Sequence, residues 1–125
     1  MRWDILIVNC EHGDLLASLL QSEGYRAEHV KTVEEAWDEL LITPVALVMT
    51  DCLVSSLDGC ELISLMRSKE ELSKTPVLMA TALRQEAVLA KCAFDAFLRK
   101  PFTAAELIGK VGHILRPPGV AIQIS

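Results

Sequence analysis

Polar side chains follow four of the short apolar runs in this sequence, each at the point where the run ends. The set comprises residues 9–11, Asp51, Thr81 and Lys100. An aspartate can attack a phosphoryl group as a nucleophile and form an acyl phosphate. A lysine ammonium and a hydroxyl would bind the phosphoryl oxygens as negative charge develops, and a divalent cation held by oxygen ligands normally assists. These residue types therefore indicate phosphoryl chemistry on a carboxylate.

The polar residues would be positioned by apolar strands that alternate with amphipathic helices. The apolar runs predict five strands, at residues 5–8, 26–30, 45–49, 77–81 and 94–98. Helical spacing predicts helices at residues 12–23, 33–41, 61–69 and 84–93, and a last one from Thr103 to Leu115. This alternation implies a parallel sheet with helices on both faces, because parallel neighbours need crossover connections. Such sheets bind ligands at the carboxyl ends of their strands, so the polar residues are expected on one rim.

Short sequence signatures predict where several helices begin and end. Thr32 with Glu35, and Thr103 with Glu106, have the spacing of capping boxes at helix starts. Gly24 is expected to end the first helix. Four leucines of that helix share a face that is predicted to point into the core: Leu15, Leu16, Leu19 and Leu20.

Length and composition restrict the class of protein. The 125 residues suffice for one domain, and an apolar content of 51% allows a substantial core. The net charge is −5, from 12 basic and 17 acidic residues without a basic run, which argues against nucleic-acid binding as the main activity. The apolar runs reach about six residues, too short for a membrane span. A strand follows the first residues directly, so we expect no signal peptide and a cytoplasmic protein.

The four cysteines, at positions 10, 52, 60 and 92, match neither a zinc pattern nor a Cys-x-x-Cys pair. We expect four reduced and mostly buried thiols. Cys10 and Cys52 both follow strands near Asp51, so a redox or soft-metal site is the alternative.

Over residues 4–116 the sequence resembles the receiver domains of bacterial response regulators. Four segments carry the resemblance: Ile5-Leu6-Ile7-Val8, Asp51 with Asp58-Gly59 seven positions on, residues 76–82, and Lys100-Pro101-Phe102. The resemblance implies an α/β flavodoxin-like (βα)5 fold, a doubly wound, five-stranded parallel sheet of order 2-1-3-4-5. It also implies a receiver domain over residues 1–116 and a tail or linker stub over residues 117–125.

The resemblance assigns roles to individual residues. Asp51 matches the phosphoacceptor, Thr81 the switch hydroxyl and Lys100 the phosphate-binding lysine. Phe97 matches the aromatic residue that changes rotamer with the switch, and the small Ala82 would leave the site accessible. The peptide bond before Pro101 is expected to be cis.

The same resemblance implies partners. A sensor histidine kinase or phosphotransfer domain would donate the phosphoryl group in a two-component phosphorelay. A downstream protein or output domain would read the result through the face formed by residues 84–116. We expect a signalling module and not an enzyme. We expect no nucleic-acid or membrane partners, and a homodimer is one possible oligomeric state.

The match departs from the family at the end of the first strand, where receivers carry two acidic residues and this chain has Asn9 and Cys10. Cys10 occupies the position of the direct Mg²⁺ ligand, and Mg²⁺ prefers oxygen to sulfur. Asn9 keeps an oxygen but loses a charge. The next carboxylate, Glu11, is a second candidate metal ligand, although strand alternation points it elsewhere. Asp51 remains as a metal ligand, so we expect Mg²⁺ binding to be weak or lost.

Two further departures concern loops. Ser55 stands where receivers often carry a proline. The spacing of 19 positions from Thr81 to Lys100 is shorter than usual, which predicts a short fourth helix.

Two alternatives to a phosphorylated receiver follow from these observations. The first is a pseudo-receiver, which keeps the fold and binds a protein partner without phosphorylation, because Asn9-Cys10 replaces the acidic pair. The second is a flavodoxin-like enzyme or cofactor binder. It is disfavoured because the loop at residues 9–14 is acidic and has a single glycine, which suits anion binding poorly.

Overall fold

The computed structural model describes residues 2–8, 10–51, 58–89 and 93–115, with the backbone alone at residues 58 and 59. Its strands are β1 (Trp3–Val8), β2 (Ala27–Val30), β3 (Val45–Thr50), β4 (Val77–Thr81) and β5 (Ala96–Arg99). Its helices are α1 (Gly13–Ser22), α2 (Val33–Ile42), α3 (Asp58–Ser68), α4 (Gln85–Leu89) and α5 (Ala104–Leu115), with a short 3-10 helix at Glu70–Leu72. The predicted alternation of strands and helices is confirmed.

The five strands form one parallel sheet of order β2-β1-β3-β4-β5, as predicted. In the register, Ile5 of β1 lies between Ala27 of β2 and Leu47 of β3. The chain begins with β1 inside the sheet and adds β2 at one edge. It then reverses direction and adds β3, β4 and β5 on the other side of β1. This reversal lies between β1 and β3, and it leaves a crevice at their carboxyl ends.

Helices cover both faces of the sheet, which explains why the strands are apolar without alternation. One face packs against α2, α3 and α4 through Leu6, Val8, Val48, Val77 and Met79 of the sheet. The other packs against α1 and α5 through Ile5, Ile7, Leu47, Met49, Leu78, Ala80 and Leu98. The two layers together make the strands rigid supports for the residues that follow them.

The predicted capping boxes are present. The backbone N–H of Glu35 donates to Thr32 Oγ1 at 3.0 Å. At α5 the bonds are reciprocal: Glu106 N–H donates to Thr103 Oγ1 at 3.1 Å, and Thr103 N–H donates to Glu106 Oε1 at 2.9 Å. Gly24 follows α1 with φ of 97°, a left-handed conformation that favours glycine. The Lys100–Pro101 peptide bond is cis, as expected.

Several element boundaries and one packing prediction were wrong. β5 begins at Ala96, two residues later than predicted, because the Asp95 carboxylate accepts bonds from Val77 N–H (2.7 Å) and the Arg67 guanidinium (2.8 Å). α3 begins at Asp58, earlier than predicted. Of the four leucines predicted to face the core, Leu20 is fully buried, but Leu15 is 68% exposed, because the buried face of α1 is formed by Gly13, Ala17 and Leu20.

The cysteines differ in state. Cys10 is a buried free thiol, as expected. Cys60 is disulfide-bonded, so the expectation of four reduced thiols is wrong for this residue. Cys52 and Cys92 lie outside the described residues, as do Asn9, Ser55 and the predicted tail at 117–125.

The longest helix of the described ranges, α5, has 12 residues. None of the helices in those ranges reaches the length and hydropathy that crossing a bilayer requires.

Candidate functional site

The centre of the site is an ion pair at the carboxyl rim of the sheet. Asp51 directly follows β3, and Lys100 directly follows β5. Lys100 Nζ lies 2.7 Å from Asp51 Oδ2, and the two side chains are 21% and 8% exposed. The fold thus brings together two residues that are 49 positions apart, on strands separated by β4.

The two oxygens of the Asp51 carboxylate have different surroundings. Oδ2 accepts the bond from Lys100, whereas Oδ1 is buried and has no hydrogen-bond partner among the described residues. A buried polar atom without a partner is costly, so its persistence usually has a functional or structural reason. Its lone pairs are available for a nucleophilic attack or for a ligand.

Thr81 ends β4, between the strands that carry Asp51 and Lys100. Its side chain is almost completely buried, and Oγ1 accepts a bond from Leu83 N–H at 3.3 Å. Its carbonyl accepts a bond of 2.8 Å from the backbone N–H of Lys100. This bond joins the ends of β4 and β5 and orders the backbone from which the lysine side chain extends.

Cys10 is a neutral member of the same site. The residue is 6% exposed, and its Sγ–H donates to the Val8 carbonyl at 3.4 Å. The pKa of the thiol is raised to about 12, and burial is the main cause. The positive charge of Lys100 acts to lower this pKa, and the negative charge of Asp51 acts to raise it. Both charges therefore act on Cys10, and the thiol carries its proton at neutral pH.

Glu11 does not add a buried carboxylate to the site. Its side chain is 77% exposed and lies 3.3 Å from His12 Nε2, an exposed pair of small electrostatic value. This placement agrees with the strand alternation that points Glu11 away from the crevice.

Phe97 lies on β5 within the hydrophobic cluster that faces α2, α3 and α4. Its ring packs against Phe94 with a centroid distance of 5.5 Å. The structure therefore places Phe97 in the layer below the rim, whereas Asp51, Thr81, Lys100 and Cys10 stand at the strand ends.

A cleft of about 500 Å³ opens beside the ion pair. Its lining includes Lys100, Leu15 and Leu16 of α1, and Pro101 and Phe102. The exposed Ala82 also lines it, in agreement with an accessible site. The sequence did not identify Leu15 as a cleft residue, because helical spacing does not tell a core-facing leucine from one at the cleft edge.

The donor atoms that the described residues supply to the rim do not fit Mg²⁺. This ion takes near-octahedral oxygen coordination, whereas the described site offers one unbonded carboxylate oxygen beside a protonated thiol. The described residues contain no group of three or more His, Cys, Asp or Glu side chains that could hold a metal. The single unbonded oxygen of Asp51 is the only feature of this described set that favours a cation.

The five-stranded parallel sheet and the polar residues at its carboxyl rim define a receiver-type signalling domain. The family profile of the response regulator receiver domain matches residues 6–112, and the chain belongs to this family. The chain is similar to the sensory transduction protein RegX3 of Mycobacterium tuberculosis, with 31% identity over 120 residues. It is also similar to hybrid signal transduction histidine kinase D of Dictyostelium discoideum, with 28% identity over 116 residues.

The chain spans only part of these relatives. The alignment with RegX3 covers 92% of this chain and 52% of that protein. The alignment with the histidine kinase covers 89% of this chain and 7% of that protein.

Solved structures show the same fold. The receiver domain of a signal transduction histidine kinase from Syntrophus aciditrophicus has a TM-score of 0.80 and 28% identity, and the alignment covers 94% of this chain and 96% of that one. The chemotaxis regulator CheY4 of Vibrio cholerae has a TM-score of 0.81 at 20% identity, with 92% and 100% covered. The receiver domain of a sensor histidine kinase from Pseudomonas aeruginosa has a TM-score of 0.78 and 24% identity, and the alignment covers 90% of this chain and 97% of that one. It holds a magnesium ion in its active-site cleft.

Proposed function

We propose that this receiver domain accepts a phosphoryl group on Asp51 within a two-component phosphorelay. The observation that carries the proposal is the asymmetry of the carboxylate: Lys100 holds Oδ2 at 2.7 Å, and Oδ1 has no partner among the described residues. One oxygen is thus positioned by a cation, and the other keeps its lone pairs for attack.

The transfer follows from this arrangement. Asp51 Oδ1 attacks phosphorus, an O–P bond forms, and the bond from phosphorus to the donor nitrogen or oxygen breaks with its electron pair on the leaving group. The leaving group takes a proton from solvent. The ammonium of Lys100 neutralises charge on the phosphoryl oxygens, and a reoriented Thr81 hydroxyl would donate a bond to one of them.

The partners belong to the same proposal. A sensor histidine kinase or phosphotransfer domain would supply the group, in a cytoplasmic setting, and Mg²⁺ would contribute little. The face over residues 84–116 would pass the signal to an output domain or a downstream protein. The sequence-based domain limits, residues 1–116 with a tail over 117–125, remain our boundaries for this module.

The test is incubation with a small phosphodonor such as phosphoramidate, followed by intact-mass spectrometry. We expect one added phosphoryl group, which is lost in Asp51→Asn. The control Asp38→Asn removes an exposed carboxylate of α2 and should leave the uptake unchanged. Uptake that persists in Asp51→Asn would contradict the assignment.

A second candidate is a pseudo-receiver that binds its partner without phosphorylation, and the neutral, buried Cys10 favours it. The two candidates predict different results in one experiment. A folded protein that takes up no phosphoryl group from phosphoramidate, with or without Mg²⁺, would support the pseudo-receiver.

A further inference from the structure

Among the residues that the structure describes, the charges at the rim balance each other. Asp51 contributes one negative charge, Lys100 contributes one positive charge, and both side chains are mostly buried. The third group at the rim, Cys10, is an uncharged thiol bonded to the Val8 carbonyl. The exposed Glu11 is paired with His12. The described rim therefore carries no excess negative charge that a cation would have to neutralise.

A divalent cation would also have to break contacts that already exist. To coordinate Asp51 bidentately it would displace Lys100 Nζ from Oδ2, where the distance is 2.7 Å. The other ligand that the described part of the rim offers is the Cys10 thiol, which Mg²⁺ binds poorly. Desolvating an ion for one free oxygen is unfavourable, because Mg²⁺ gives up its water reluctantly.

From this charge balance we propose that Lys100 takes the place of the divalent cation, and that Cys10 makes both the folding of the domain and the phosphoryl chemistry of Asp51 independent of Mg²⁺. The statement about chemistry rests on the phosphoacceptor function proposed above, whereas the statement about folding does not. A single substitution should make the domain dependent on Mg²⁺, because an acid at position 10 adds a second buried carboxylate beside Asp51. Repulsion between the two carboxylates destabilises the metal-free fold, and together their oxygens form a pair of metal ligands.

The experiment compares thermal unfolding in EDTA with unfolding in millimolar Mg²⁺. The variants are wild type, Cys10→Asp and the uncharged control Cys10→Ser. In wild type and Cys10→Ser we expect the same melting temperature in both buffers. In Cys10→Asp we expect a melting temperature lowered by about 5 °C in EDTA. Mg²⁺ at ten times its dissociation constant should restore about 4 °C of this loss.

A parallel arm measures phosphoramidate uptake in the same buffers. Wild-type uptake should be equal in EDTA and Mg²⁺, and that of Cys10→Asp should rise severalfold with Mg²⁺. Stabilisation of the wild type by Mg²⁺, or faster wild-type uptake in Mg²⁺, would overturn the proposal. Stabilisation of the wild type by Zn²⁺ that Cys10→Ser abolishes would also overturn it, because the rim would then be a thiophilic metal site.

Failure of the phosphoacceptor function can be recognised separately. If no variant takes up phosphoryl groups, the melting measurements still decide whether the fold is independent of Mg²⁺. If Cys10→Asp does not fold, the comparison of wild type in EDTA and Mg²⁺ remains decisive.

Discussion

At the level of single residues, the Asp51–Lys100 ion pair is the central electrostatic interaction of the described rim. A buried carboxylate is tolerated when its charge is compensated nearby, and the removal of one partner leaves an uncompensated charge in a low-dielectric environment. Because Lys100 is partly exposed and Asp51 is nearly buried, loss of the lysine should cost more than loss of the aspartate.

We therefore expect Lys100→Met to lower the free energy of unfolding by about 3 kcal/mol. Adding Asp51→Asn to this variant should recover much of the loss, because no buried charge then remains. Urea unfolding followed by circular dichroism measures both effects, and Lys69→Met, at an exposed pair with Glu71, should leave the midpoint nearly unchanged. Equal losses in the single and double variants would contradict a buried ion pair.

At the scale of elements, the packing of α1 on β2 fixes one wall of the cleft. Gly13 begins α1 directly against the imidazole of His29, and a Cβ added at Gly13 would overlap that ring. His29 Nδ1 lies 3.0 Å from Asp14 Oδ1 in the same first turn. The position of the helix, and with it the cleft residues Leu15 and Leu16, depends on this contact.

Gly13→Ala should lower the free energy of unfolding by about 2 kcal/mol through overpacking, although alanine is the better helix former. The matched control is Gly109→Ala on α5, where an added Cβ meets no atom within 4 Å. That substitution should stabilise the protein by about 0.5–1 kcal/mol. Chemical denaturation of the two variants checks the contrast, and a stabilising Gly13→Ala would show that α1 does not rest on His29.

In the molecule as a whole, acidic residues outnumber basic ones. Two of the acidic residues, Glu28 of edge strand β2 and Glu39 of helix α2, repel each other electrostatically. Glu28 is partly buried, and its Oε2 has no hydrogen-bond partner within the described ranges. Burial and then the negative charge of Glu39 raise the pKa of the Glu28 carboxyl. Glu39 itself accepts a bond from the Trp3 indole at 2.9 Å.

This shift predicts how global stability responds to pH. As pH rises, Glu28 loses its proton first in the unfolded chain, so its contribution to stability falls and is lowest at neutral pH. Glu28→Gln should raise the melting temperature by about 2 °C at pH 7, and the gain should vanish below about pH 4. Calorimetry at both pH values tests this, with Asp38→Asn as a control at an exposed position of α2, the helix that carries Glu39. A gain that is the same at both pH values would exclude a charge effect.

The extent of the chain also matters at this scale. It spans about half of RegX3 and a small part of the histidine kinase, so the module is one unit within each of these relatives.

The order of elements and the identity of the rim residues could be predicted from the sequence alone. Apolar runs, helical spacing and capping boxes are local patterns, and strand ends such as Asp51 and Lys100 follow directly from them. The resemblance to receivers added the sheet order, which the structure confirms. Boundaries such as the start of β5 were missed, because the bonds of Asp95 to Arg67 and Val77 come from distant parts of the chain.

Local patterns in the sequence were enough to predict the fold class, and the resemblance to receivers identified Asn9-Cys10 as a departure from the acidic pair of that family. Three features became visible only in the folded chain. Lys100 bonds one oxygen of Asp51 and leaves the other without a partner among the described residues. Cys10 is buried at the same rim, and Leu15 lines a cleft. The physical reason is that periodicity places a residue on a face or at an end of its own element. Distances, burial and charge compensation depend on how elements far apart in the chain pack together.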